Sequence, residues 1–189
     1  HLSGDYQSEF LGPFVKKLES VGVNIKYTSP VKDFELSAKG AIVNGRSFEE
    51  VVWAMDVSAT QNFALHNHSL QTMYPSWTKS LAQNSPSQGY AVWRIWVDRV
   101  LRHKHPSFVL TDRNRTLDAI GFYGMIQEKL ADWEKREKGT VIELHCYAVP
   151  LDMWEDDQGI QASMLEEASH YLRDLKGAKI LAGEWQKKR

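Results

Sequence analysis

Apolar positions recur along this chain with two different periods, and the switches between them mark its elements. From Ser8 to Val21 the residues Phe10, Leu11, Phe14, Val15, Leu18 and Val21 are spaced for one face of a helix. Pro13 is tolerated in a first turn, so the regular helix is expected from near Gly12, and Gly22 suits a left-handed stop. Val23, Ile25 and Tyr27 then alternate with Asn24 and Lys26, a strand pattern. Residues 31–36 alternate again, and Ala41 to Val43 follow a Ser-Ala-Lys-Gly turn. Asn44-Gly45 predicts a hairpin, because both central turn positions need positive φ. Val51-Val52-Trp53-Ala54 is the continuous apolar run of a buried strand.

Helices are expected over roughly 58–65 and 69–83, the second carrying Leu70, Met73, Tyr74, Trp77 and Leu81. Tyr90 to Asp98 reads as a long strand with Tyr90, Val92, Arg94 and Trp96 on one face and Ala91, Trp93, Ile95 and Val97 on the other. Ser107 to Thr111 predicts a second strand, and a helix follows from about Tyr123 to Lys138. Thr140 to Val149 alternates Val141, Glu143, His145 and Tyr147 against Ile142, Leu144, Cys146 and Ala148. Leu165, Ala168, Leu172 and Leu175 define a last helix stopped by Gly177, and Ala178 to Trp185 is extended. Strands and helices mix without regular alternation, which favours an α+β fold with a mixed or antiparallel sheet and packed helices.

Composition narrows the picture by exclusion. The 189 residues carry a formal net charge of -1, so no electrostatic case exists for nucleic acid or an anionic membrane surface. No run approaches the roughly 20 apolar residues of a membrane span, which leaves peripheral membrane contact open. The single cysteine, Cys146, excludes an internal disulfide and fits a reducing, cytoplasmic setting. The chain does not begin with Met, and its Lys187-Lys188-Arg189 end has no turn or capping signal, so both ends read as cuts. Nothing in the pattern specifies an oligomeric state.

The residues offer little chemistry of their own. No G-x-G-x-x-G, P-loop, G-x-S-x-G or H-E-x-x-H occurs. The pairs His66/His68 and His103/His105 sit in polar stretches with no third ligand, so no metal is expected. Asn67-His68-Ser69 and Asn114-Arg115-Thr116 fit the glycosylation triplet, with no secretory signal to support them. Cys146 shares a face with Ile142 and Leu144, where a buried structural thiol is expected rather than a nucleophile. The face of Glu143, His145 and Tyr147 either lines a cleft or is the solvated side of an antiparallel sheet, the commoner case. Arg94 in mid-strand needs either a salt bridge to a neighbouring strand, again commoner, or an anionic ligand. Trp93 and Trp96 point to opposite faces, so at most one lines a given pocket.

The run Phe14 to Val31, a short meander, and Val51-Val-Trp-Ala-Met-Asp56 together resemble the middle of the flavin-containing amine oxidase and carotenoid (phytoene) desaturase superfamily. The strands at 90–98 and 140–147 are similar to substrate-domain strands of its desaturase-like members. The resemblance implies that 1–57 belongs to an FAD-binding domain, 58–178 to a substrate-binding domain, and 179–189 to a strand leading back. It implies that the backbone of Val31 meets the adenine end of FAD and that Ala54, Met55 and Asp56 lie beside the dinucleotide. It makes Trp93, Arg94 and Trp96 candidate substrate-binding residues in a cavity for an apolar small molecule. The glycine-rich pyrophosphate motif is missing, and Ile180-Leu-Ala-Gly-Glu184 only mimics the later flavin-contacting segment. This chain alone is therefore expected to hold FAD weakly or not at all. Two readings remain: the substrate-binding portion of an FAD-dependent oxidoreductase, or a free-standing, non-catalytic module for an apolar ligand or protein partner. No residue stands out as acid, base or nucleophile.

Overall fold

The computed structural model describes residues 6–37, 39–102 and 104–188. The architecture is α+β, with two antiparallel sheets in two compact units. One unit is Asn24–Ser87; the other joins the residues up to Val23 to those from Gln88 onward.

In the first unit a meander of β1 (Phe34–Ser37), β2 (Gly40–Val43) and β3 (Arg46–Phe48) precedes three helices, α2 (Val57–His66), α3 (His68–Met73) and α4 (Pro75–Ala82). The β2–β3 turn is the expected one, with Asn44 at φ 46° and Gly45 at φ 74°. Gly40 enters β2 at φ 132°, and a Cβ there would lie 2.0 Å from the Phe48 carbonyl oxygen, so no other residue fits. The expected helix over 69–83 is broken into α3 and α4 at Tyr74, because the residue before Pro75 is disfavoured in helical conformation. Phe34, Ala41, Ala64, Leu70 and Leu81 form the small core.

Two expected strands are not strands. Val23–Tyr27 and Val51–Ala54 have no β-partner among the described residues. Alternation or apolarity gives a segment a sheet-compatible surface, but a strand also needs a neighbour to satisfy its backbone groups. Val52 is 90% exposed as a result.

In the second unit the sheet order is β5 (Phe108–Leu110), β6 (Ala119–Phe122), β7 (Thr140–Cys146), β4 (Tyr90–Val97), β8 (Ile180–Lys188), every pairing antiparallel. The strands at 90–98 and 140–149 form nearly as expected. The short, fully buried β6 lacks the alternation that would have marked it. A 3-10 turn, Tyr123–Met125, separates β6 from α5 (Glu128–Glu137). The last helix, α6 (Asp157–Tyr171), begins earlier than its leucine spacing suggests, because Asp156 caps it by accepting from Gly159 N.

One face of this sheet packs against α6. Ala91, Ile95, Val97, Ile120, Phe122, Ile142, Leu144 and Cys146 meet Ile160, Met164, Ala168 and Leu172 in a continuous core. Each fully buried aliphatic side chain there is worth roughly 1.5–3 kcal/mol. The helix α1 (Gly12–Ser20) buries no residue of its own; Phe10 and Phe14 stack at 5.8 Å but stay exposed. Among the described residues no helix is long and apolar enough to cross a membrane.

Candidate functional site

The face of the five-stranded sheet opposite α6 carries the polar chemistry. Register places Phe108, Gly121, Glu143, Arg94 and Glu184 in one row across all five strands. The adjoining row is Leu110, Ala119, His145, Val92 and Gln186, and beyond it, on the other side of Glu143, lie Val141, Trp96 and Ala182.

Glu143 is the centre of this face and is 6% exposed. Arg94 bonds its Oε2 through Nε at 2.9 Å and Nη2 at 2.8 Å, a two-pronged grip across directly paired positions. Tyr123 donates its hydroxyl to Oε1 at 2.6 Å. Its ring has room because Gly121 carries no side chain: a Cβ there would lie 3.1 Å from the ring. The Arg94 guanidinium sits 4.3 Å from the centre of that ring, a cation–π contact, and reaches Glu184 at 3.5 Å. His145 Nε2 lies 3.2 Å from Oε1, near enough for attraction if protonated but not aligned as a hydrogen bond. Phe108 packs edge-on against the His145 ring at 5.3 Å.

These contacts set the protonation of the cluster. Burial pushes the Glu143 carboxyl up, yet His145, Tyr123 and Arg94 outweigh it and hold the group below its ordinary value. Burial, with the bond to Glu143, pushes the Tyr123 hydroxyl up to about 12. Burial also works against the charge of Arg94, but Glu143 more than compensates. The cluster is therefore an ionised pair with a neutral, firmly protonated phenol.

Of the expected substrate residues, Arg94 and Trp96 lie on this face. Trp93 is on the opposite face, paired with Trp185 and packed against the α6 core. Cys146 is buried there too, and burial pushes its thiol up to about 11. From the sequence Tyr123 is not singled out, and Glu143 only as part of a face, with His145 and Tyr147, read as the solvated side in preference to a cleft. The one available signal was that Glu143 shares a strand face with His145, at a position whose partner is fixed only by register.

The expected cofactor residues lie in the other unit. Val31 sits in a stretch before β1 that joins no sheet among the described residues, and Ala54 to Asp56 lead into α2. The Asp56 carboxylate caps α2, accepting from Ala59 N at 2.8 Å. The two segments are tied through neighbours: Phe34 meets Trp53 edge-on at 5.6 Å and Phe63 at 5.8 Å, and Trp53 meets Phe63 at 4.5 Å. An open hollow of about 420 Å³ lies among Phe34, Leu36, Trp53, Leu70, Tyr74 and Trp77, with Glu49 the charged residue on its lining. His66 Nδ1 is engaged with the Asn62 carbonyl at 2.6 Å, while the His103/His105 pair lies partly outside the described residues. Among the described residues no group of three His, Cys, Asp or Glu could hold a metal ion.

This fold occurs in oxidoreductases. A putative protoporphyrinogen oxidase from Exiguobacterium sp. 255-15 matches with a TM-score of 0.58 and 12% identity, over 94% of this chain and 38% of that one. An oxidoreductase from Methanosarcina mazei matches with a TM-score of 0.57 and 14% identity, over 96% of this chain and 42% of that one. No family model matches the chain. In sequence it is 26% identical over 141 residues, 74% of its length, to a carotenoid phi-ring synthase from Streptomyces griseus. It is 37% identical over 91 residues, 48% of its length, to a carotenoid phi-ring synthase from Chlorobaculum tepidum. The structural matches show a shared fold, and the sequence matches show likeness to carotenoid phi-ring synthases over part of the chain. The matched stretches span only 26% and 14% of the two synthases.

Proposed function

We propose that this chain is the substrate-binding portion, with adjoining strands of the FAD-binding domain, of an FAD-dependent oxidoreductase acting on a carotenoid-like polyene. The observation that carries the reading is the match to one carotenoid phi-ring synthase over 74% of the chain and to another over 48%. On this reading the open sheet face is a wall of the substrate cavity. Its charges suit an apolar ligand because they are already matched: Arg94 is neutralised by Glu143, and Tyr123 covers the pair. Laying a polyene over a paired guanidinium and a phenol ring costs far less than laying it over a bare charge. Arg94 then acts through its stem and its stacked guanidinium, with Trp96 on the adjoining row, rather than as an anion receptor.

Flavin, when bound, supplies the hydride acceptor. The residues here fit its adenine end in one respect: among the described residues the backbone N–H and C=O of Val31 carry no hydrogen bond, and the residue is 39% exposed. The unpaired apolar run at Val51–Ala54 and the uncovered stripe of α1 are surfaces that the remainder of such an enzyme would cover.

The test is to purify this chain and the full-length product of its gene and titrate both with FAD. The expected result is stoichiometric yellow flavin in the longer product only, and a flavin-dependent change in the absorption spectrum of an added carotenoid. A full-length product that binds no flavin, or leaves carotenoids unaltered under every electron acceptor tried, overturns the reading.

A further inference from the structure

Asn44 is usually explained by its turn, where positive φ favours it. Its side chain does more than tolerate that conformation. Oδ1 accepts from the backbone amides of Lys32 at 2.8 Å and Asp33 at 3.1 Å, and Nδ2 donates to the Pro30 carbonyl at 3.0 Å. Its own backbone N–H donates to the Asp33 carbonyl at 2.9 Å. These bonds grip the chain on both sides of Val31 and leave Val31 itself untouched. The result is a residue held fixed by its neighbours while its own donor and acceptor have no partner among the described residues. The neighbouring Lys32 lines a hollow of about 280 Å³ together with Asn62, Phe63, His66 and Asn67.

A backbone N–H beside a backbone C=O is the complement of adenine's N1 acceptor and 6-amino donor. We propose that Asn44 is the positioning residue for adenine recognition, holding the Val31 donor and acceptor in register with that edge of FAD. This rests on the reading above, in which Val31 meets the adenine. The energetic logic is preorganisation: a loop already fixed loses little entropy when the ligand arrives.

The experiment uses the apo form of the full-length product and two ligands, FAD and its hypoxanthine analogue. In the analogue the 6-amino group becomes a carbonyl and N1 carries a hydrogen, so both bonds to Val31 are mismatched. Dissociation constants are read from quenching of flavin fluorescence. The unaltered protein is expected to prefer FAD by about tenfold, the worth of one to two hydrogen bonds. Asn44→Gly keeps the positive-φ turn and removes the clamp, and its preference is expected to fall to within about twofold. Asn44→Asp keeps the acceptor and loses the donor to Pro30, and is expected to fall between; it carries the test if Asn44→Gly does not fold. A folded variant with the full preference overturns the role of Asn44 and leaves the Val31 reading standing. No preference in the unaltered protein overturns the Val31 reading and this one with it.

Discussion

The guanidinium of Arg94 lies 2.8 Å from the carboxylate of Glu143, 49 residues further along the chain, at directly paired positions of two antiparallel strands. Glu143 is almost fully buried, whereas the Arg94 side chain keeps a quarter of its surface. The pair thus matters less for net attraction than for what is left behind when one partner goes.

Arg94→Leu should destabilise the chain by about 2–4 kcal/mol, because it strands a buried carboxylate. Arg94→Leu combined with Glu143→Leu should recover most of that loss, since neither charge then needs a partner. Urea unfolding of the three proteins measures both effects. A double variant no more stable than the single one would show that the loss came from packing instead.

The same cluster predicts a two-sided pH dependence. The Glu143 carboxyl is held below its ordinary value of 4.5, so its contribution is present above that value and fades as pH falls through the folded one. Tyr123 is shifted the other way, to about 12, so its contribution is complete below its ordinary value of 10 and fades as pH rises through about 12. Burial and the carboxylates of Asp118 and Glu143 also raise Tyr147, so phenolate absorbance should show late-ionising tyrosines, and Tyr123→Phe should remove the step at about 12. Glu143→Gln should flatten the acid limb of stability against pH. An unchanged late step in Tyr123→Phe would assign it to another tyrosine.

Glu167 on α6 holds the 114–117 loop. Its carboxylate accepts from the backbone amides of Asn114, Arg115, Thr116 and Leu117, at 2.7–3.3 Å, and from the hydroxyls of Thr116 and Ser163. Burial opposes its charge, but these donors hold its carboxyl below the ordinary value. Glu167→Ala should cost about 3 kcal/mol and release those four amides to hydrogen exchange, with Glu167→Gln intermediate. Amide protection unchanged in Glu167→Ala would mean that the loop is held elsewhere.

Much of the fold was legible because its signals are local. The alternation of 90–97 and 140–146 marked both long strands and their faces, so Arg94 and Trp96 were correctly separated from Trp93. Asn44-Gly45 announced its hairpin because the φ requirement lies within those two residues. β6 was missed for the opposite reason: Ala119, Ile120, Gly121 and Phe122 are buried on both faces, so no period distinguishes them. The start of α6 was missed because its cap, Asp156, lies before the leucine pattern begins.

The sequence by itself determined which residues of the long strands share a face, the Asn44-Gly45 turn, and that the chain resembles flavin-dependent oxidoreductases. Only the tertiary structure decided that Arg94 faces Glu143 and that Tyr123 folds over Gly121 onto the pair. It alone decided that Val51–Ala54 has no strand beside it among the described residues and that Asn44 reaches back to the residues around Val31. Conformational preference is written in neighbouring residues. Strand register, burial of a charge and the partner of a side-chain amide depend on which distant segment arrives opposite, and that is settled by packing the whole chain.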